Sequence, residues 1–140
     1  MTIKELQKEI VNEFSFFENW TQRYEYMIEL GKSLPLINIK YKTNENIIKG
    51  CQSKVWVFAE LNKDRLEFTA DSDAIITKGI IALLIRVFSN QHPKDILEAE
   101  TGFIDEIGLK EHLSPTRANG LGSMIKQIKM YAIAFQTQLN

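Results

Sequence analysis

The sequence holds one cysteine, two histidines and three prolines in 140 residues, and neither sign of charge prevails. A single cysteine cannot close an internal disulfide, which fits a reducing compartment and leaves a free thiol. Cys51, His92 and His112 are too widely spaced to read as a zinc set, whose ligands usually come in close pairs, so no metal is expected. With 17 basic and 18 acidic residues the net charge is -1, and the chain lacks the positive field that a nucleic-acid partner requires. Met1 leads directly into a charged amphipathic pattern without a basic and then apolar leader, so no secretory signal is expected. The longest apolar run, Gly79 to Ile85, is closed by Arg86 and falls far short of the roughly 20 residues of a membrane helix. These absences predict a soluble cytoplasmic protein with no membrane partner. A hydrophobic fraction of 44% without repeats, linkers or low-complexity stretches predicts one domain over residues 1–140.

Thr2 and Glu5 form a capping box for a first helix whose apolar face is Ile3, Leu6, Ile10, Phe14 and Phe17. A second helix spans Trp20 to Lys32, with Gly31 near its end, and the two are expected to pair antiparallel. After Pro35 and the turn residues Thr43 to Asn46, Ile47-Ile48 reads as part of a short strand. Val55 to Leu61 and Arg65 to Ala70 form a hairpin around Asn62-Lys63-Asp64. In the second strand Leu66, Phe68 and Ala70 alternate with polar residues, so one face is buried. Asp71, Ser72 and Asp73 are candidate caps of a strongly apolar central helix from about Ala74 to Phe88. Pro93 opens a short helix through Leu97, Gly102 and Gly108 punctuate another short segment, and Ser114-Pro115 opens a long last helix. Strands clustered between groups of helices, without βαβ alternation, predict an α+β fold with a small antiparallel sheet packed against several helices.

The stretch that carries chemistry is Gly50-Cys51-Gln52-Ser53-Lys54-Val55-Trp56. Gly50 permits backbone angles closed to other residues, Gln52 and Ser53 suit a turn, and Val55 onward is β-prone. A thiol displayed at a strand entrance is expected, although a free cysteine is more often an inert buried one. This stretch resembles the signature of the SufE family of sulfur-acceptor proteins. Asp71 to Gly79 resembles the family's segment after the second strand, and Leu113 to Leu121 the one opening its last helix. The three blocks occur in family order across nearly the whole chain.

The resemblance implies a SufE/IscU-like sandwich and a sulfur carrier that is not itself an enzyme. Cys51 would accept persulfide sulfur from a SufS-like cysteine desulfurase, stimulate that enzyme, and deliver sulfur to a downstream iron–sulfur scaffold complex. No cofactor is expected on this chain: pyridoxal phosphate would sit on the desulfurase, and neither Lys49 nor Lys78 has the context of a Schiff-base lysine. A cluster scaffold would need several thiolates, typically four, so one cysteine favours carrier over scaffold. Gly50, Gln52, Ser53, Trp56, Asp73 and Arg117 are the expected cysteine-loop and partner-facing residues. The resemblance implies that Asp73 lies near the loop and bears on desulfurase activation, that Arg117 faces the partner, and that the loop rests sheltered and extends on docking. Trp56 and its strand neighbours could shelter a bound sulfur, though core is their commoner role. Two alternatives stay open: a small hydrolase or peroxidase with Cys51 as nucleophile, and a SufE-like carrier serving a different desulfurase and acceptor.

Overall fold

The structure, a computed structural model, describes residues 1–139. Helix α1 (Ile3–Ser15) begins at a reciprocal capping box, with Glu5 N–H donating to Thr2 Oγ1 and Thr2 N–H to the Glu5 carboxylate. Its buried face is Ile3, Ile10 and Phe14, while Phe17 lies beyond its end. Helix α2 (Trp20–Lys32) is capped by Asn19, whose Oδ1 accepts from Gln22 N–H. The hairpin joins β1 (Val55–Asn62) to β2 (Arg65–Ser72) in antiparallel register, with Val57 opposite Ala70 and Leu61 opposite Leu66. Lys63 takes the left-handed conformation that a tight hairpin turn requires. Helices α3 (Ile75–Phe88), α4 (Pro93–Glu98), α5 (Gly102–Glu106) and α6 (Pro115–Leu139) complete the chain. Six helices and a two-stranded antiparallel sheet among the described residues make an α+β fold, as expected.

Helix α3 is the hub. It packs against α2, β2, α6 and α1, and Ile80, Ile81, Leu83, Leu84, Val87 and Phe88 are fully buried within it. Each such side chain contributes roughly 1.5–3 kcal/mol of burial. Here the expected pairing of the first two helices needs correction. The backbone partner of α2 is α3, because two glycines let them meet: a Cβ on Gly31 would lie 3.1 Å from Gly79 N, and one on Gly79 would lie 2.4 Å from the Met27 carbonyl oxygen. Gly31 therefore serves inside α2 as a contact point and not as its end cap, which is Ser33. Helix α1 meets the pair through side chains. Phe14 packs edge-on against Tyr26, and the Arg86 guanidinium of α3 joins Glu9, Glu13 and Tyr26.

The sheet's edges are closed by neighbouring chain, which removes the hazard of free strand edges. Ile47 bridges Trp56 and Ile48 N–H donates to Val55 O at 2.8 Å, so this pair forms a bridge and not the short strand expected. On the other side Ala70 exchanges hydrogen bonds with Pro35 O and Ile37 N–H, and Leu66 N–H donates to Gln91 O.

Candidate functional site

Cys51 stands in the irregular segment between the Ile47–Ile48 bridge and β1, outside every helix and strand. Gly50 makes the turn with φ of 91°, a conformation favourable for glycine and strained for residues with a Cβ. The thiol is half-buried, and its Sγ lies 3.7 Å from the Gly120 carbonyl oxygen on α6. A glycine eases that approach, since a Cβ at position 120 would sit 3.3 Å from Sγ and crowd the sulfur. A cavity of about 10 Å³ opens beside the sulfur, lined by Cys51, Gln52, Ser53, Thr77, Ile80, Thr116, Arg117, Gly120 and Met124. Cys51 is thus held between the N-terminal halves of α3 and α6, and burial pushes its thiol pKa up.

A raised thiol pKa has two consequences. At neutral pH the resting group is the protonated thiol, a poor nucleophile. The stability linked to this group is fully present below the ordinary thiol range and is lost as pH rises through the raised folded value, because the unfolded chain gives up the proton first. Alkylation of Cys51 by a small reagent is therefore expected to be slower in the folded protein than in denaturant at the same pH. Equal rates would show a permanently open thiol.

Asp73 is hydrogen-bonded to Lys54, just after the cysteine turn. Its Oδ1 accepts from Lys54 N–H at 3.0 Å, and its own N–H donates to Lys54 O at 3.2 Å, so it closes the end of β2 onto the residue that leaves the cysteine turn. The expected capping of α3 by Asp71 or Asp73 is overturned: the N-cap residue is Ala74, whose side chain cannot accept a capping bond, and its N–H donates to Ser72 Oγ at 3.3 Å. Asp71 instead pairs with Lys42 at 2.9 Å and Lys78 at 3.4 Å. Partial burial raises its pKa, but the Lys42 hydrogen bond, the Ser72 N–H and both ammonium charges outweigh it and hold the carboxyl below its usual range.

Trp56 also needs correction. Burial alternates along β1, with Val55, Val57 and Ala59 inward. Trp56 points to the other face, under Lys42 Nζ at 4.6 Å from the ring centroid, and it does not line the thiol cavity. The walls are Ile80 and Met124, from helices, with the buried hydroxyl of Thr77 whose Oγ1 lies 3.5 Å from Ser53 Oγ. The sequence alone does not single out Thr77, Ile80, Gly120 or Met124 as site residues; the signal available is that all four fall in, or within three residues of, two of the three blocks that carry the resemblance. Arg117 lines the cavity mouth, is exposed, and makes no ion pair among the described residues. Neither histidine approaches the thiol cavity: His92 Nδ1 accepts from Lys94 N–H at the start of α4, and His112 stacks on Trp20 at 3.9 Å. No group of three or more metal-ligating side chains occurs among the described residues.

A first test follows from Gly50. A methyl there would be strained by the positive φ and would meet Ser123 Oγ at 2.7 Å. Gly50→Ala is expected to cost about 1 kcal/mol and to speed alkylation of Cys51, because strain is relieved when the turn leaves α6. Unchanged melting with unchanged alkylation would show that the turn does not depend on this glycine.

The chain has known relatives. The family model for SufE, described as an Fe-S metabolism associated domain, matches residues 8–132. An uncharacterized SufE-like protein from Rhizobium meliloti is 40% identical over 129 residues, covering 89% of this chain and 92% of that protein. Another, from Rhizobium etli, is 38% identical over 126 residues, covering 86% and 85%. The solution structure of a hypothetical protein from Thermus thermophilus superposes with a TM-score of 0.80 at 19% identity, covering 94% of this chain and 96% of that one. That likeness bears on the fold, which it shares.

Proposed function

Because the chain belongs to the SufE family, we propose that it is a sulfur acceptor. Cys51 takes sulfane sulfur from the active-site persulfide of a SufS-like cysteine desulfurase, and the protein stimulates that enzyme and passes the sulfur toward an iron–sulfur scaffold complex. The family's association with Fe-S metabolism supports this class of pathway. One observation carries the chemistry: the only thiol is on a turn, free of every helix and strand, beside a small cavity with two apolar walls. Such a thiol can rest sheltered and still leave its site without unfolding an element.

In the transfer step the Cys51 thiolate attacks the outer sulfur of the donor persulfide. A new S–S bond forms at Sγ, the donor's S–S bond breaks, and the donor cysteine departs as thiolate with that electron pair. One S–S bond replaces another, so no oxidant is consumed. The proton lost by Cys51 passes to water or to the released thiolate. Pyridoxal phosphate belongs to the partner in this scheme, and the chain is co-substrate and activator. A cysteine–histidine hydrolase is disfavoured: it pairs its thiol with a positioned base, and both histidines are engaged elsewhere.

The test is desulfurase turnover with increasing amounts of this protein. Saturable stimulation is expected, and a flat response would refute the activator role. Arg117→Ala is expected to weaken the stimulation several-fold, with melting unchanged. The motive is an exposed cation at the cavity mouth, in the first turn of a helix, where it gains nothing from the helix dipole. A drop in stability of several kcal/mol, the scale of a broken buried charge network, would instead make Arg117 a structural residue.

A further inference from the structure

We propose that the cavity beside Cys51 meters its cargo: it shelters one sulfane sulfur, and Gly120 and Met124 set that limit. The inference rests on the carrier reading above and specifies its capacity.

The thiol has little free space around it. The cavity measures about 10 Å³, close to the minimum of roughly 10–15 Å³ that admits a single water molecule. One terminal sulfur, a little larger than a water oxygen, fits with small adjustments of the walls. A second has nowhere to go: Ile80 is 1% exposed and Met124 1%, both packed into the core, and Thr77 is 5% exposed. On the remaining side stands Gly120, where a Cβ would crowd Sγ at 3.3 Å. A longer polysulfide chain must therefore push its terminal atoms out past Arg117 into solvent.

This separates the two sulfurs chemically. The first transfer turns Cys51–SH into Cys51–S–SH, as above. A second donor persulfide could be attacked by the terminal sulfur of Cys51–S–S⁻, forming a new S–S bond and releasing another donor thiolate, again without net redox change. The atom so added would lie outside the cavity. Any small thiol could attack it, take it as its own persulfide, and return Cys51–S–S⁻. The inner sulfur, held against Met124 and Ile80, would survive the same exposure.

The experiment loads the full chain exhaustively with desulfurase and excess cysteine, removes the enzyme, exposes the protein briefly to a small thiol, and reads the intact mass. Wild type is expected to keep a single added sulfur. Met124→Ala, which enlarges the cavity, is expected to keep a second, and Thr77→Ser, a milder enlargement in case the first variant folds poorly, to keep it in part. Gly120→Ala is expected to lose its sulfur several-fold faster than wild type without loss of melting temperature, because the methyl occupies the space while alanine suits a helix. A wild type that holds two or more sulfurs as firmly as one, or retention unmoved by both Met124→Ala and Gly120→Ala, overturns the metering and leaves the carrier reading intact. Wild type that gains no sulfur before the thiol step overturns both.

Discussion

Cys51→Ser is expected to abolish sulfur acceptance completely while leaving the fold intact. A hydroxyl forms no persulfide, so the effect on transfer is all or none, and no other thiol exists in the chain to take over. The structural effect is small for three reasons. The residue belongs to no helix or strand. Its side chain is only half-buried, and its one polar contact is the long 3.7 Å approach to Gly120 O. Serine is close in shape, so the change in stability should stay within about 1 kcal/mol. Circular dichroism and thermal melting check the fold, and desulfurase stimulation with cysteine as substrate checks the function. A serine variant that still accepted sulfur would end the carrier account.

Gly79→Ala should have the largest effect on stability, at a residue that does not itself line the thiol cavity. The added Cβ would stand 2.4 Å from the Met27 carbonyl oxygen and 2.8 Å from its carbonyl carbon. Both are backbone atoms, which cannot rotate away as a side chain can, so α2 and α3 must move apart along their contact. Overpacking of this kind typically costs about 1–3 kcal/mol and sometimes more. Alanine's better helix propensity returns only about 1 kcal/mol. A net loss of up to about 2 kcal/mol is expected in denaturant titration, or a fall of several degrees in Tm. Gly122→Ala is the control. It lies exposed in α6, where an added methyl would meet nothing within 4 Å, and it should be neutral or stabilising by up to about 1 kcal/mol. If both glycines tolerate alanine equally, the close helix contact is not what holds α3 in place.

The contrast between these two glycines shows where the sequence was legible. The local pattern outlines α2 and the hairpin to within two residues, with a clean alternation in β2, and Thr2 with Glu5 announces the start of α1. Gly79 looks like one more small residue in an apolar helix. Its meaning depends on Met27, a residue far away in sequence, and no local pattern encodes that.

The site divides the same way. That Cys51 would sit on a turn follows from its neighbours, since Gly50 and the β-prone run after Ser53 leave few other conformations. Which residues wall the thiol does not. Val55-Trp56-Val57-Phe58 is apolar on both faces, so alternation cannot say which side turns to the core, and Trp56, which could have been core or a shelter for the sulfur, lies under Lys42 instead. Asp71 and Asp73 carry the composition of helix caps, but a lysine pair and the Lys54 amide compete for them more effectively than the start of α3. Local preference for a cap is worth about 1 kcal/mol, small enough for tertiary partners to override.

The carrier account turns on one covalent fact, the destination of the sulfur. The direct measurement is to incubate wild-type protein with a cysteine desulfurase and cysteine, without reductant, and to determine intact mass followed by peptide mapping. The account predicts a gain of the mass of one sulfur atom, located on the peptide that contains Cys51 and removed by a thiol reductant once the chain is denatured. An unchanged mass under conditions in which the desulfurase turns over, or sulfur found on any other residue, would contradict it.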